Sequence, residues 1–291
     1  MIAPGPLHAA GIHDDLPESE YRADPAVAQS DLKLLMRSPA HLVAAKSAPK
    51  EETPTLTFGR LVHHLALTPE LPPWWIVRPA GLDLRTKAGK EWAESVNGAS
   101  VITQEQFDSA RRMIDNLNAH PAWALCSRQD KSKREVSCFG ERLVLPQGQP
   151  MMDIRVKARI DLVPEVGPAL VDLKTTDDAR PEQFARSVDE FGYHIQAAFY
   201  LDLWNELASE QRDQFCIFAV EKTAPHNVAA YCIHADAITH GRTLYHNALE
   251  VFAECVREGR WPGYTEDIRM LNIPRYAYQR YETARIFEEK V

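Results

Sequence analysis

The stretches that decide the fold of this chain are Ala158–Val163 (ARIDLV) and Leu170–Thr175 (LVDLKT). Each has the composition of a short buried strand, and each carries a carboxylate in apolar surroundings. Because side chains alternate along a strand, Asp172 and Lys174 share one face and their apolar neighbours lie on the other. Ionised groups beside a core are normally paired, bound to a metal or used in chemistry. Two aspartates and a lysine suit a divalent cation and the water that it activates, which points to phosphodiester hydrolysis.

The letters of the second stretch prove little when they stand alone. Asp31-Leu32-Lys33 also reads DLK, but it has no apolar strand pattern and no acidic strand before it. For Asp172 and Lys174 by themselves, a surface ion pair on an edge strand is the better explanation. A catalytic interpretation therefore depends on the surrounding sequence.

The overall composition is that of an ordinary globular protein. The chain has 291 residues, 45% of them hydrophobic and 25% charged, enough for one large domain or two small ones. No apolar run approaches the length of a membrane span, and the N-terminus lacks the basic-then-apolar order of a signal peptide. We therefore expect a cytoplasmic protein with no membrane partner.

The cysteines and the net charge narrow the possible sites. The five cysteines are widely scattered and form no C-x-x-C pair, so neither a zinc ribbon nor an iron–sulfur cluster is indicated. We expect these thiols to be reduced. The formal net charge of −8 argues at first against a nucleic-acid partner, but local basic clusters such as residues 31–50 suffice to contact phosphates.

One α/β domain with two terminal extensions is the simplest organisation. Residues 1–28, rich in Pro, Gly and Asp, are predicted to be an N-terminal arm, residues 29–260 the folded domain and residues 261–291 a C-terminal extension. Apolar patterns predict helices over 30–46 (interrupted at Pro39), 55–67, 87–96, 104–118, 181–190, 193–208 and 236–258, and strands over 74–77, 134–145, 152–163, 169–176, 214–222 and 227–234.

The predicted strand over 152–163 has a basic face. Arg155, Lys157 and Arg159 alternate with apolar residues and lead along one face to Asp161. Such a face could guide a phosphate backbone toward a metal, so we predict that the three cations bind DNA. A plain half-exposed amphipathic strand is the common alternative.

Further motifs stand in a fixed order around the two aspartates. Gly59–His63 (GRLVH) lies on a predicted helix, Glu135 begins the first long strand, and Gln196 and Tyr200 share a helix face after the third. In order, Gly-x-x-x-His, Glu, Ile-Asp, Asp-x-Lys and Gln-x-x-x-Tyr resemble the motif series of PD-(D/E)XK nucleases of the RecB-like branch. The resemblance covers roughly residues 20–265.

Within that branch, the chain most closely resembles the RecE-type phage exonucleases. Ser38–His41 (SPAH) and Tyr193–Tyr200 (YHIQAAFY) resemble that family specifically. The resemblance implies an α/β fold with an αβββαβ core, in which helices flank a mixed central sheet and a Mg²⁺ site lies at one edge. Since an imidazole would be among the ligands, Mn²⁺ is expected to substitute for Mg²⁺.

The resemblance also implies roles for individual residues. The implied metal ligands are His63, Asp161, Asp172 and the main-chain carbonyl of Leu173. Lys174 would orient or polarise the attacking water, and Glu135 would bind a second metal or its water shell. Gln196 and Tyr200 would position the water, the lysine or the DNA.

Each assignment has a structural alternative. A lone histidine on an apolar helix is more often a core residue, so His63 could be one, and Glu135, after a basic run, could be one half of a surface ion pair. Tyr200 could be aromatic packing. Asp161 and Asp172 are the strongest candidates because both lie in apolar strand segments.

The leading hypothesis is a Mg²⁺-dependent exonuclease that digests one strand of linear duplex DNA, 5′ to 3′ if it follows the RecE-type family. The resemblance implies a ring-shaped homo-oligomer and a single-strand annealing protein that loads onto the exposed 3′ strand. Ser30 and Arg37, on the first long helix, are candidates for binding the terminal 5′-phosphate. The alternatives are an endonuclease or single-strand nuclease of the same fold, and an inactive DNA-binding member.

Overall fold

The structure, a computed structural model, describes residues 8–48, 53–68, 74–96, 98–145 and 150–278. Its strands are β1 (Gly11–His13), β2 (Val27–Ala28), β3 (Trp75–Val77), β4 (Ser100–Ile102), β5 (Lys133–Val144), β6 (Met152–Val163), β7 (Ala169–Thr176), β8 (Gln214–Glu221) and β9 (Val228–Cys232). Its helices are α1 (Glu18–Ala23), α2 (Gln29–Arg37), α3 (Pro39–Ser47), α4 (Pro54–Leu67), α5 (Lys87–Ser95), α6 (Gln104–Ala119), α7 (Pro121–Ser127), α8 (Pro181–Glu190), α9 (Tyr193–Leu207) and α10 (Ala235–Glu258).

The central sheet has the strand order β1-β5-β6-β7-β8-β9, with the short β2 paired to β6. Strands β5, β6 and β7 pair antiparallel, β7 and β8 run parallel, and β9 returns antiparallel to β8. A parallel pair needs a crossover, which α8 and α9 supply between β7 and β8. The predicted α/β core with a mixed sheet flanked by helices is confirmed.

Helices cover both faces of the sheet and form two apolar cores. Helices α2, α9 and α10 pack on one face, and α4, α6 and α7 on the other. Val171 and Leu173 of β7 face the α4–α6 core. Because side chains alternate along the strand, Asp172 and Lys174 face the α9 side.

Capping residues set the helix boundaries near the sheet. Pro39 cannot continue α2, and Ser38 instead caps α3 by accepting a hydrogen bond from the His41 N–H. Thr53 caps α4 and Thr103 caps α6 in the same way. The interruption predicted at Pro39 is confirmed.

Helices α9 and α10 cross closely, and this contact fixes α9 against the sheet. A Cβ at Gly241 would lie 2.3 Å from the carbonyl oxygen of His194, so only glycine permits the approach. Further along, Asp202 accepts hydrogen bonds of 2.7 Å from Arg242 and from the Tyr245 hydroxyl. Burial alone would raise the pKa of Asp202, but these hydrogen bonds outweigh it and lower the pKa.

The N-terminal residues that were predicted to be an irregular arm pair with strands of the central sheet. In the N-terminal segment, defined here as residues 8–28, β1 pairs with β5 and β2 pairs with β6. Buried Asp24 accepts hydrogen bonds from the N–H groups of His8 and Ala26. This segment is therefore integrated into the sheet. Residues 1–7 of the arm and 279–291 of the C-terminal extension lie outside the described residues.

Two of the five cysteines are not in the expected reduced state. Cys216 on β8 and Cys232 on β9 are joined by a disulfide, so the expectation is wrong for this pair. They are Cα partners in the antiparallel register, which brings them together. Cys126, Cys138 and Cys255 are free thiols.

A helix that spans a membrane must be long and predominantly apolar. Within the described ranges, none is long and apolar enough to cross a bilayer.

Candidate active site

Most of the predicted site residues meet in one cleft of about 970 Å³. Its walls come from the N-terminal segment, α2, α4, β6, the end of β7, α8 and α9. Predicted residues that line it are Ser30, His63, Glu135, Lys157, Arg159, Asp161, Gln196 and Tyr200.

An acidic cluster lies where β6 and β7 separate. The Lys174 Nζ is 2.6 Å from Asp172 Oδ2, and the Leu173 N–H donates a 2.8 Å hydrogen bond to Asp161 Oδ2. The His63 Nδ1, from α4, lies 3.5 Å from the same Asp161 oxygen. The two aspartates, the lysine and the histidine predicted from the motif series thus form one cluster.

Burial and like charge perturb this cluster. Burial, and then the neighbouring negative charge of Asp172, raises the pKa of Asp161 to about 6. Burial alone would lower the pKa of Lys174, but the charges of Asp172 and Asp161 outweigh it and raise the pKa. The lysine is therefore an ammonium, and it does not fully offset the two carboxylates.

The donor set fits a hard divalent cation. Two carboxylates, one imidazole and the main-chain carbonyl of Leu173 can supply oxygen and nitrogen ligands to Mg²⁺ or Mn²⁺. Burial, and then the charge of Asp172, raises the pKa of Asp161, and a bound cation would offset this cost of ionising it. Among the described residues, no three His, Cys, Asp or Glu side chains are already arranged around a metal position. In this arrangement Asp172 Oδ2 contacts Lys174 Nζ, and Asp172 Oδ1 accepts a hydrogen bond from Gln196 Nε2.

Helix α9 holds the cluster from one side. Gln196 Nε2 donates a 2.6 Å hydrogen bond to Asp172 Oδ1, and Lys174 Nζ lies 5.0 Å from the centre of the Tyr193 ring. Tyr200, one turn beyond Gln196, is partly buried, and burial raises its pKa well above the ordinary value. The spacing of three and four residues puts all three side chains on one helix face.

Glu135 occupies an unusual backbone position in β5. The register of β5 on β6 places it opposite Asp161. Its φ of 50° is left-handed, which is uncommon for a residue other than glycine and clusters at functional sites. Its carboxylate lies 3.3 Å from Arg159 Nη2. The ion pair considered as an alternative is present, but inside the cleft.

The predicted DNA-binding face of β6 is covered by the N-terminal segment. Lys157 is buried, and its ammonium donates hydrogen bonds to the main-chain carbonyls of Tyr21 and Asp24. Arg155 and Arg159 also donate to carbonyls of this segment. The face is therefore not an open track for a phosphate backbone. Arg155 does not line the cleft, whereas Lys157 and Arg159 do.

The two candidates for 5′-phosphate binding are separated. Ser30, at the start of α2, lines the cleft. Arg37 ends the same helix, where its Nε donates a 3.3 Å hydrogen bond to the Tyr264 hydroxyl. The structure does not bring the two side chains to one site.

Several cleft residues were missed in the sequence. Arg60, Trp74, Arg186 and Lys222 line the cleft. Arg60 lies inside the Gly-x-x-x-His segment, a signal that could have found it. Trp74 precedes β3, Arg186 lies on α8 and Lys222 follows β8, and no local pattern distinguishes them.

The chain is similar to known proteins in sequence and in fold. A family model described as a PDDEXK-like domain of unknown function (DUF3799) matches residues 28–274. A crystal structure of a candidate exonuclease from Eubacterium rectale aligns over 95% of this chain and 99% of its own, with a TM-score of 0.59 and 14% identity. At 14% identity, this match shows a likeness of fold alone.

Two other comparisons add no argument. The crystal structure of SSO0001 covers 69% of this chain and 88% of its own at 13% identity, with a TM-score of only 0.30. A search of curated proteins found no match.

Proposed function

The chain belongs to the PDDEXK-like family DUF3799, a nuclease fold, and from this premise we propose that it is a Mg²⁺-dependent exonuclease acting on linear duplex DNA. The observation that carries the proposal is the cluster of His63, Asp161, Asp172 and Lys174, of which His63 and Asp161 line the cleft. The fold likeness to the candidate exonuclease of Eubacterium rectale supports it. We further propose that one strand is digested 5′ to 3′, which leaves a 3′ single strand for annealing.

The chemistry divides between a cation and the side chains around it. When bound by His63, Asp161, Asp172 and the Leu173 carbonyl, Mg²⁺ supplies Lewis-acid activation of water and of the scissile phosphate. The Lys174 ammonium orients the attacking water and offsets negative charge that develops on the phosphate.

The remaining residues of the site position the metal ligand Asp172, the water and the DNA. Gln196 fixes the orientation of the Asp172 carboxylate through its 2.6 Å hydrogen bond. Glu135 and Tyr200 face the same cleft and are proposed to hold water or the DNA strand. Ser30, at the N-terminus of α2, is proposed to contact the 5′-phosphate.

The proposed biological setting follows from the resemblance to RecE-type exonucleases. We propose that the protein works in the cytoplasm as a ring-shaped homo-oligomer on duplex ends. A single-strand annealing protein would then bind the 3′ strand that digestion exposes.

The test is digestion of a linear duplex, labelled at one 5′-phosphate, with Mg²⁺ or EDTA. Wild type is expected to release mononucleotides only with Mg²⁺, and Asp172→Asn to be slower by about 100-fold or more, because a metal ligand is lost. Asp177→Asn is the matched control, since Asp177 lines the same cleft and is 84% exposed.

The other outcomes identify the alternatives. Cleavage of a closed circular duplex would indicate an endonuclease, and preference for a single strand a single-strand nuclease. Binding without any cleavage would indicate an inactive family member. Equal rates for wild type and Asp172→Asn would overturn the site assignment.

A further inference from the structure

A second cavity, of about 420 Å³, lies between α8, the end of β9 and the start of α10. We name it the α8–α10 pocket. Its lining is mainly apolar and aromatic, and none of its residues lines the active-site cleft. The lining residues used below are Phe184, Ala185, Asp189, His194, Tyr231 and His240.

The walls of this pocket are held in place by contacts of their own. The rings of Phe184 and Tyr231 stack with centres 5.3 Å apart, and the Tyr231 hydroxyl donates a hydrogen bond to the Ala179 carbonyl. The rings of His194 and His240 lie parallel with centres 5.8 Å apart. The pocket is therefore formed before any ligand enters it.

The C-terminal segment, defined here as residues 264–278, exposes apolar side chains. Ile268, Met270 and Leu271 are 105%, 100% and 96% exposed. Single exposed apolar residues are normal, but several in one short stretch mark an interaction site. The segment therefore presents an apolar surface that its own copy leaves in solvent.

The pocket and this segment lie at opposite ends of α10. The first turns of α10 line the pocket, and the whole helix has 24 residues and is about 36 Å long. Beyond its far end, the Ala40 N–H donates a hydrogen bond to the Pro262 carbonyl, and Arg37 donates to the Tyr264 hydroxyl. Within one copy, the segment would have to double back along the helix to reach the pocket.

We propose that the C-terminal segment of one copy occupies the α8–α10 pocket of a second copy. From Asp267 to Arg275 the segment carries one carboxylate and two guanidinium groups, those of Arg269 and Arg275, and exposed Asp189 in the pocket lining offers a charge opposite to this positive excess. Because the two surfaces differ and lie at opposite ends, the interface is heterologous and repeats head to tail. A heterologous interface forms a ring when its rotation closes, so this proposal rests on the ring assembly proposed above and names its contact surfaces.

The first test is the solution mass, measured by light scattering, of wild type and two variants. Met270→Asp/Leu271→Asp puts a carboxylate on both sides of an extended segment, whichever side enters the pocket. Ala185→Trp fills the pocket from an exposed position on α8. Wild type is expected to be a multiple of 32.9 kDa, and both variants to associate about 100-fold or more weakly.

A matched control separates this interface from a general effect of charge. Leu125→Asp/Val166→Asp adds the same charge at two apolar side chains that are 72% and 65% exposed elsewhere. It is expected to assemble as wild type does. Circular dichroism of each variant checks that it is folded.

Mixing the two weakened variants tests the head-to-tail arrangement. The segment variant retains an intact pocket, and the pocket variant retains an intact segment, so together they form one working interface. The mixture is expected to give dimers and nothing larger. A monomeric wild type, unchanged assembly of both variants or a mixture that stays monomeric would each overturn the proposal.

The assembly proposal and the nuclease proposal fail separately. Asp172→Asn removes a proposed metal ligand that does not line this pocket, so it is expected to lose digestion and retain the wild-type mass. Loss of digestion alone leaves the interface standing, and loss of assembly with mononucleotide release intact leaves the nuclease site standing.

Discussion

Asp161 and Asp172 share a single ammonium, that of Lys174, in a site that excludes most water. One positive charge cannot offset two buried carboxylates, and the excess appears as the pKa of Asp161, raised to about 6 first by burial and then by Asp172. Ionised Asp161 therefore carries a penalty that a divalent cation bound at the proposed site would offset. This charge imbalance connects the local strand pattern to the proposed chemistry.

Asp161→Asn is expected to stabilise the metal-free protein at pH 8 and much less at pH 5. Because the folded-state pKa of Asp161 rises from an ordinary 3.8 to about 6, ionising it opposes folding. This penalty is absent below about pH 4, develops as the pH rises toward 6, and reaches about 3 kcal/mol above it. Thermal unfolding in EDTA at the two pH values measures the difference.

The control for this pH effect is Asp177→Asn, which changes the same group at an exposed position of the cleft. Addition of Mg²⁺ is expected to raise the melting temperature of wild type more than that of Asp161→Asn. A variant that is less stable than wild type at pH 8 would contradict the stated origin of the raised pKa.

The convergence of the site residues could be predicted only where a short-range rule applied. Alternation along β7 places Asp172 with Lys174, and helical spacing places Gln196 with Tyr200. Arg37 fails the same reasoning because seven residues of helix separate it from Ser30, about 10 Å. The left-handed backbone of Glu135 has no sequence signal, since residues other than glycine rarely adopt it.

At the scale of elements, the long strands and helices were predictable and the N-terminal segment was not. Strands of 8 to 12 residues such as β5, β6 and β7 carry enough alternation to be recognised. Strands β1 and β2 have three and two residues and pair with strands more than a hundred residues away. Nothing local can indicate such pairing, so Pro and Gly content suggested an irregular arm.

Lys157→Met is expected to loosen the N-terminal segment. The buried ammonium donates to the main-chain carbonyls of Tyr21 and Asp24, and its loss leaves both without this donor. Hydrogen bonds to a charged group are worth about 2 kcal/mol, so the free energy of unfolding should fall by about that amount. Hydrogen exchange should lose protection first in β2 and around Asp24, and chemical denaturation gives the total.

Lys131→Met serves as the comparison for Lys157→Met, because Lys131 is an exposed lysine outside the cleft lining. It should leave both measurements unchanged. If Lys157→Met instead weakened DNA binding with no change in stability, the DNA-binding role predicted from the sequence would be the correct one.

The cleft is not the basic channel that is expected of a DNA-binding enzyme. The net charge is −8, and the charged side chains that line the cleft are balanced. The basic ones are Arg22, Lys46, Arg60, Lys157, Arg159, Arg186 and Lys222, and the acidic ones are Glu18, Asp31, Glu135, Asp161, Asp177, Asp178 and Glu190. Without a cation, a phosphate backbone meets little net attraction here.

DNA affinity is therefore expected to depend on the divalent cation more than on the protein charge. A duplex with hydrolysis-resistant phosphorothioate ends, followed by fluorescence anisotropy, allows binding in Mg²⁺ and in EDTA to be compared at equal ionic strength. Wild type should bind about tenfold or more tightly with Mg²⁺, a difference of about 1.4 kcal/mol. Asp161→Asn should bind better than wild type in EDTA and respond less to Mg²⁺, because one of the repelling carboxylates is already neutral. Equal wild-type affinity in both buffers would mean that phosphate contacts outside the cleft dominate binding.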